Sequence, residues 1–118
     1  MQFDPKNLDD VSYLTVDNIE STKIAPSNIH GFGLFAKKDI EQNTLLCLLE
    51  GQLLKKEDYK KISDYCEPFI DSLDNYLFME CNYVSLEHIL VRPFRTKYSY
   101  INHSNTPNVC LFYNPIRI

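Results

Sequence analysis

The sequence predicts one domain, mainly β, with a single amphipathic helix. Three observations carry this. The chain holds 8 Tyr and 7 Phe but no Trp, residues that suit a pleated, half-buried surface. Its apolar residues fall in short runs, the pattern of buried strands, and only one stretch has a helical period. At 118 residues, with 44% hydrophobic and 24% charged, it has the size of one globular unit that buries roughly two thirds of its unfolded surface.

Residues 1–20 scatter Asp4, Asp9, Asp10, Asp17 and Glu20 among apolar positions, with Pro5 early. With no clean period, they are expected to form an N-terminal arm, frayed or docked, ahead of a domain over 21–118. A short strand at 22–24 stops at the turn-forming Pro26-Ser27-Asn28. Gly31-Phe32-Gly33 then leads into the apolar run Leu34-Phe35-Ala36. Residues 39–43 read as a turn in which Asn43 takes the left-handed conformation.

Residues 44–49 (TLLCLL) follow as a buried strand, extended by 51–54 beyond a bulge. From 54 to 69 the period changes: Leu54, Tyr59, Ile62, Tyr65, Cys66 and Phe69 recur at helical spacing among lysines and acids, in a helix that ends before Pro68. Residues 76–81 and 83–86 read as two strands joined at Asn82. Residues 87–97 read as a loop with a short strand at 89–91. A turn at 105–108 precedes a last strand at 109–113.

A formal net charge of −4 and a pI near 5.3 argue against a nucleic-acid backbone as a direct partner, which would require a basic face. The one short basic run, Arg92 to Lys97 (RPFRTK), reads as a solvated loop. No run approaches the ~18 apolar residues of a membrane span, and MQFDPKNLDD is acidic where a signal peptide is basic and then apolar. The expectation is an intracellular protein off the membrane. Cys47, Cys66, Cys81 and Cys110 form no C-x-x-C pair; they are expected to be free thiols packed as small apolar groups, with no metal centre.

Two stretches carry chemistry. In HGFGLFAKKDI, residues 30–40, the glycines have the G-x-G-x-x-A spacing of a dinucleotide turn. Such a turn needs a strand running into it and a helix leaving it. Here the approach contains Pro26-Ser27-Asn28, and the continuation is short, polar and followed at once by a strand pattern. Nicotinamide or flavin binding is therefore not expected. Glycines flanking Phe32 still allow the backbone to approach a ligand closely, and a zwitterionic amino-acid end would use both its N–H and C=O groups. From 30–36 alone, a hairpin in which glycine merely relieves crowding remains open. In YINHSNTPNV, residues 100–109, Asn102 and His103 supply neighbouring amide and imidazole groups able to read a purine edge, or to serve a satisfied turn.

Taken in order, HGFGLFA at 30–36, YLF at 76–78 and YINHSNTPN at 100–108 resemble the SET-domain protein methyltransferases. The resemblance implies a SET-like fold of small, strongly curved β-sheets (a β-clip) and S-adenosylmethionine as cofactor. It implies that Gly31, Phe32, Gly33 and Leu34 hold the methionine end, and that Asn102 with His103 hold the adenine and ribose side. Tyr98 and Tyr100 would be the catalytic tyrosines, lining the passage for a protein or peptide lysine. Free lysine has a pKa near ~10.4, so such a passage must favour the neutral amine by excluding water.

Some positions depart from the family pattern. Leu49 stands where a tyrosine often follows the first long strand, and Arg95-Thr96 replaces the usual G-N pair. The sequence printed stops at Ile118, before the family's usual closing tyrosine segment, and no cysteine-rich zinc segments flank the motifs. Tyr83, Tyr98 or a partner chain would then have to complete the channel. The resemblance thus implies a protein-lysine N-methyltransferase; the alternative is a non-catalytic SET-like protein-interaction module, with or without the cofactor. Exposed strand edges suggest a homodimer.

Overall fold

The computed structural model describes residues 4–29, 31–69 and 80–112. The chain is β-rich, with seven short strands in three small sheets and two α-helices among these residues. Helix α1 (Leu8–Leu14) lies within the N-terminal 20 residues. The side chain of Asn7 accepts from the Asp10 N–H at 3.0 Å, Asp9 and Asp10 sit in the first turn, and Val11 is buried. A side-chain cap and acids at the positive end let so short a helix form once one residue anchors it.

Strand β1 (Thr15–Val16) follows and pairs in parallel with β7 (Arg95–Thr96), tying the start of the chain to the segment before the Asn-His pair. Strands β2 (Thr22–Pro26) and β3 (Phe32–Ala36) form an antiparallel hairpin in which Ala25 faces Gly33 and Ile24 faces Leu34. The Ser27 N–H donates to the Gly31 carbonyl at 2.8 Å and closes it. No helix leaves these glycines, so the dinucleotide geometry is absent here. Asn43 is left-handed at φ 67°, as the turn at 39–43 required.

The third sheet orders β4 (Gln52–Lys55), β6 (His88–Arg92) and β5 (Glu80–Tyr83), all antiparallel, with β6 central. The strand expected at 44–49 is not one. The ladder to β6 runs from Gln52 opposite Val91 to Lys55 opposite His88, while Leu45 and Leu48 are 74% and 69% exposed. Gly51 marks the entry: its φ is +147°, and a Cβ there would collide with the Val91 carbonyl. An apolar run becomes a strand only where a partner backbone lies in register.

Helix α2 (Lys56–Cys66) occupies the predicted helical stretch and passes into a 3-10 turn at Glu67–Phe69 that takes up Pro68. The two strands expected either side of Asn82 are instead one strand through it, since the buried Asn82 side chain accepts from Arg92 at 2.8 Å and needs no turn. Residues 76–79 of the first expected strand lie outside the described residues. The last expected strand is not formed at 109–112, and Tyr113 lies outside the described residues. The four cysteines are free, with Cys110 exposed and the others half-buried.

The reading of RPFRTK as a solvated loop is overturned. Arg92 is 1% and Lys97 8% exposed, and the described core holds Thr22, Glu80, Asn82 and Thr96 beside Val11, Ile19, Ile89 and Val91. Buried charges persist only when paired and hydrogen-bonded, and both cations are.

Candidate functional site

Hairpin β2–β3 presents Gly33, buried at its centre, to the segment that follows the 3-10 turn Lys97–Tyr100. A Cβ on Gly33 would lie 3.1 Å from Asn102 Nδ2 and 3.2 Å from Ser27 Cβ. Asn102 Nδ2 donates to Ser27 Oγ at 3.2 Å, 75 residues away, and Ser27 Oγ also accepts from the Ile29 N–H at 3.1 Å. The two sequence motifs therefore meet, and glycine at 33 is what permits the approach.

The other named residues surround this contact unequally. Phe32 and Leu34 flank Gly33 on β3 and are half-buried; Gly31 is exposed at φ +43°, in the left-handed region. His103 is exposed beside the half-buried Asn102, while His30 lies outside the described residues. Tyr98 and Tyr100 are half-buried on the 3-10 turn. The Arg92 guanidinium stands 5.8 Å from the centre of the Tyr98 ring, within cation–π range. Leu49 is half-buried, and Tyr76 to Phe78 lie outside the described residues.

The turn itself is held by a buried polar cluster that sequence reasoning missed. Glu80 Oε1 accepts from Arg92 Nε at 2.5 Å and Thr96 Oγ1 at 2.6 Å; Oε2 accepts from the Thr96 N–H at 2.7 Å and from Ser99 Oγ. Arg92 also donates to the Glu50 carbonyl at 3.1 Å. Lys97 Nζ reaches the carbonyls of Ile19 and Thr22 at 3.3 and 2.9 Å, and its N–H donates to Asn18 Oδ1 at 3.2 Å. The available signal was a single carboxylate in the apolar run YLFMEC and an arginine closing ILVR.

Lys97 Nζ also meets Asp17 Oδ1 at 2.6 Å. That hydrogen bond, then the lysine's charge, holds the Asp17 carboxyl below the ordinary carboxylate range. Burial pushes the Cys47 thiol up, against the nearby Arg92 charge. A shallow open groove of about 260 Å³ lies at the far end of the hairpin, lined by Glu20, Asp39, Glu41 and Leu45 among others. It shares no residue with the Gly33–Asn102 contact, which is where the chemistry-bearing motifs converge. Among the described residues, no helix is long and apolar enough to cross a membrane.

These features define a class: β-rich domains of small sheets in which a glycine-bearing strand backs onto an Asn-His segment. The chain belongs to the SET-domain family, whose family model matches residues 31–117, about three quarters of its length. None of the curated proteins matches it. SET domains are found in protein-lysine methyltransferases, generally bind S-adenosylmethionine and act on protein substrates.

Proposed function

We propose that the chain is an S-adenosylmethionine-dependent protein-lysine N-methyltransferase of SET type. The observation that carries this reading is the contact of Gly33 with Asn102, supported by the bond from Asn102 to Ser27. Gly33 lies where a Cβ would crowd Asn102 and Ser27, so only glycine lets the backbone of β3 lie this close to Asn102, and the exposed imidazole of His103 follows directly in the chain. This donor set fits the cofactor: the backbone of Gly31, Phe32, Gly33 and Leu34 would hold its amino-acid end, and Asn102 with His103 its adenosine side. When bound, the cofactor supplies a methyl group on a sulfonium.

The protein's own work is alignment and exclusion of water. Tyr98 and Tyr100, half-buried on the turn that leads into Asn102, would present rings that exclude water and hydroxyls that orient a lysine amine. Desolvation there favours the neutral nucleophile.

Titration calorimetry of the 118-residue chain with S-adenosylmethionine, followed by transfer of labelled methyl to a protein mixture, tests the reading. Saturable binding, weakened about tenfold or more by His103→Ala or Asn102→Ala, with label on lysine, is the expected result. No heat at millimolar cofactor removes the cofactor assignment. Binding without transfer makes the chain a non-catalytic, cofactor-retaining interaction module.

A further inference from the structure

We propose that Glu80 and Arg92 are positioning residues for the segment that carries Tyr98, Tyr100, Asn102 and His103, and set cofactor affinity without touching the cofactor. The proposal rests on reading that segment as the cofactor side of the site. A buried ion pair is in itself poor evidence for stability, since well-packed apolar residues often replace one without loss. What distinguishes this pair is the direction of its bonds.

Both Glu80 oxygens are spent on the entry to the 3-10 turn: the Thr96 N–H, the Thr96 hydroxyl and the Ser99 hydroxyl. The carboxylate thus fixes the turn at its N-cap, Thr96, and at its third residue, Ser99, from a strand in another sheet. Arg92 fixes the carboxylate in turn. Its Nε and Nη2 meet Glu80 Oε1, Nη2 also meets Asn82 Oδ1, and Nη1 meets the Glu50 carbonyl. The same guanidinium lies against the ring of Tyr98. A forked, planar cation can serve all of these at once, which a lysine cannot.

The turn closes with the Ile101 N–H donating to the Tyr98 carbonyl at 3.1 Å, and Asn102 follows directly. The contacts of Asn102 with Ser27 and Gly33 have little slack. A shift of about half an ångström in the turn is enough to spoil such a constellation. An apolar pair in place of Glu80 and Arg92 would fill the space but leave the Thr96 N–H without its acceptor and the turn unspecified.

The test compares the 118-residue wild type with Glu80→Gln and with Ser99→Ala, which removes one bond from an exposed residue and spares the buried pair. Amide hydrogen exchange over 96–102 is expected to quicken about tenfold in Glu80→Gln, with residues 22–36 unchanged. The S-adenosylmethionine Kd is expected to rise about tenfold in Glu80→Gln and about threefold in Ser99→Ala. In an Asn102→Ala background the Glu80→Gln penalty should shrink below about twofold, because the group being positioned is gone.

Unchanged exchange over 96–102, or penalties that multiply in full in the double variant, would overturn the proposal. If Glu80→Gln does not fold, Ser99→Ala decides by the same exchange and affinity readouts. If the wild type binds no cofactor, the proposed function fails. Exchange over 96–102 still decides separately whether the pair holds the segment.

Discussion

Gly33 backs onto Asn102 so closely that a Cβ at residue 33 would stand 3.1 Å from the amide nitrogen. Ser27 Cβ would be 3.2 Å away on another side, so the intruding atom has little room to settle. Gly33→Ala is therefore expected to lower stability by about 1–3 kcal/mol, the range for overpacking. It should also weaken S-adenosylmethionine by about tenfold. Urea unfolding and calorimetry measure the two, and full cofactor affinity in a folded Gly33→Ala protein would contradict a role for this close approach in binding.

Gly51 serves the fold rather than the site. At φ +147°, with the Val91 backbone where a Cβ would go, it lets the chain enter β4 beside β6. Gly51→Ala should cost about 2–3 kcal/mol through backbone strain and collision. The urea midpoint reports this, and an unmoved midpoint would mean that β4 can shift freely along β6.

Asp17 gives the stability a component in the acid range. Its folded pKa is depressed by the Lys97 hydrogen bond and charge, so its contribution is fully present above the ordinary carboxylate value of about 3.9. It is lost as pH falls through the lower, folded value. Asp17 is 80% exposed, so the effect is small and screened by salt. Asp17→Asn should flatten the acid limb of a stability–pH curve, slightly and only at low ionic strength. Equal acid limbs in the two proteins would show that the pair is not maintained in solution.

The cysteines should differ in reactivity. Burial raises the Cys47 thiol and suppresses its thiolate, whereas Cys110 is exposed. In a timed iodoacetamide reaction at neutral pH, peptide mass mapping should find Cys110 modified well before Cys47. Equal rates would mean that the segment around Cys47 opens on the same timescale.

Much of the fold is legible in the sequence. Short apolar runs dictated small strands, the helical period placed α2, and Asn43 announced its left-handed turn. Local chemistry suffices in each case, because period and backbone preference are properties of neighbouring residues. The run at 44–49 misled for the complementary reason. TLLCLL has the composition of a buried strand, but a ladder needs a partner in register, and β6 offers its register to 52–55. Asn82 looked like a turn only because its buried partner, Arg92, is ten residues away.

The sequence by itself determined the β-rich class, since short apolar runs are written in adjacent letters; that HGFGLFA and YINHSNTPN come together was only an implication of the family resemblance. Only the tertiary structure decided what RPFRTK does. Arg92 and Lys97 find buried partners 12 and 75 to 78 residues away, and a charge is driven to the surface or drawn inside according to such partners. That choice turned a basic run into the anchor of the turn that sets Asn102 against Gly33.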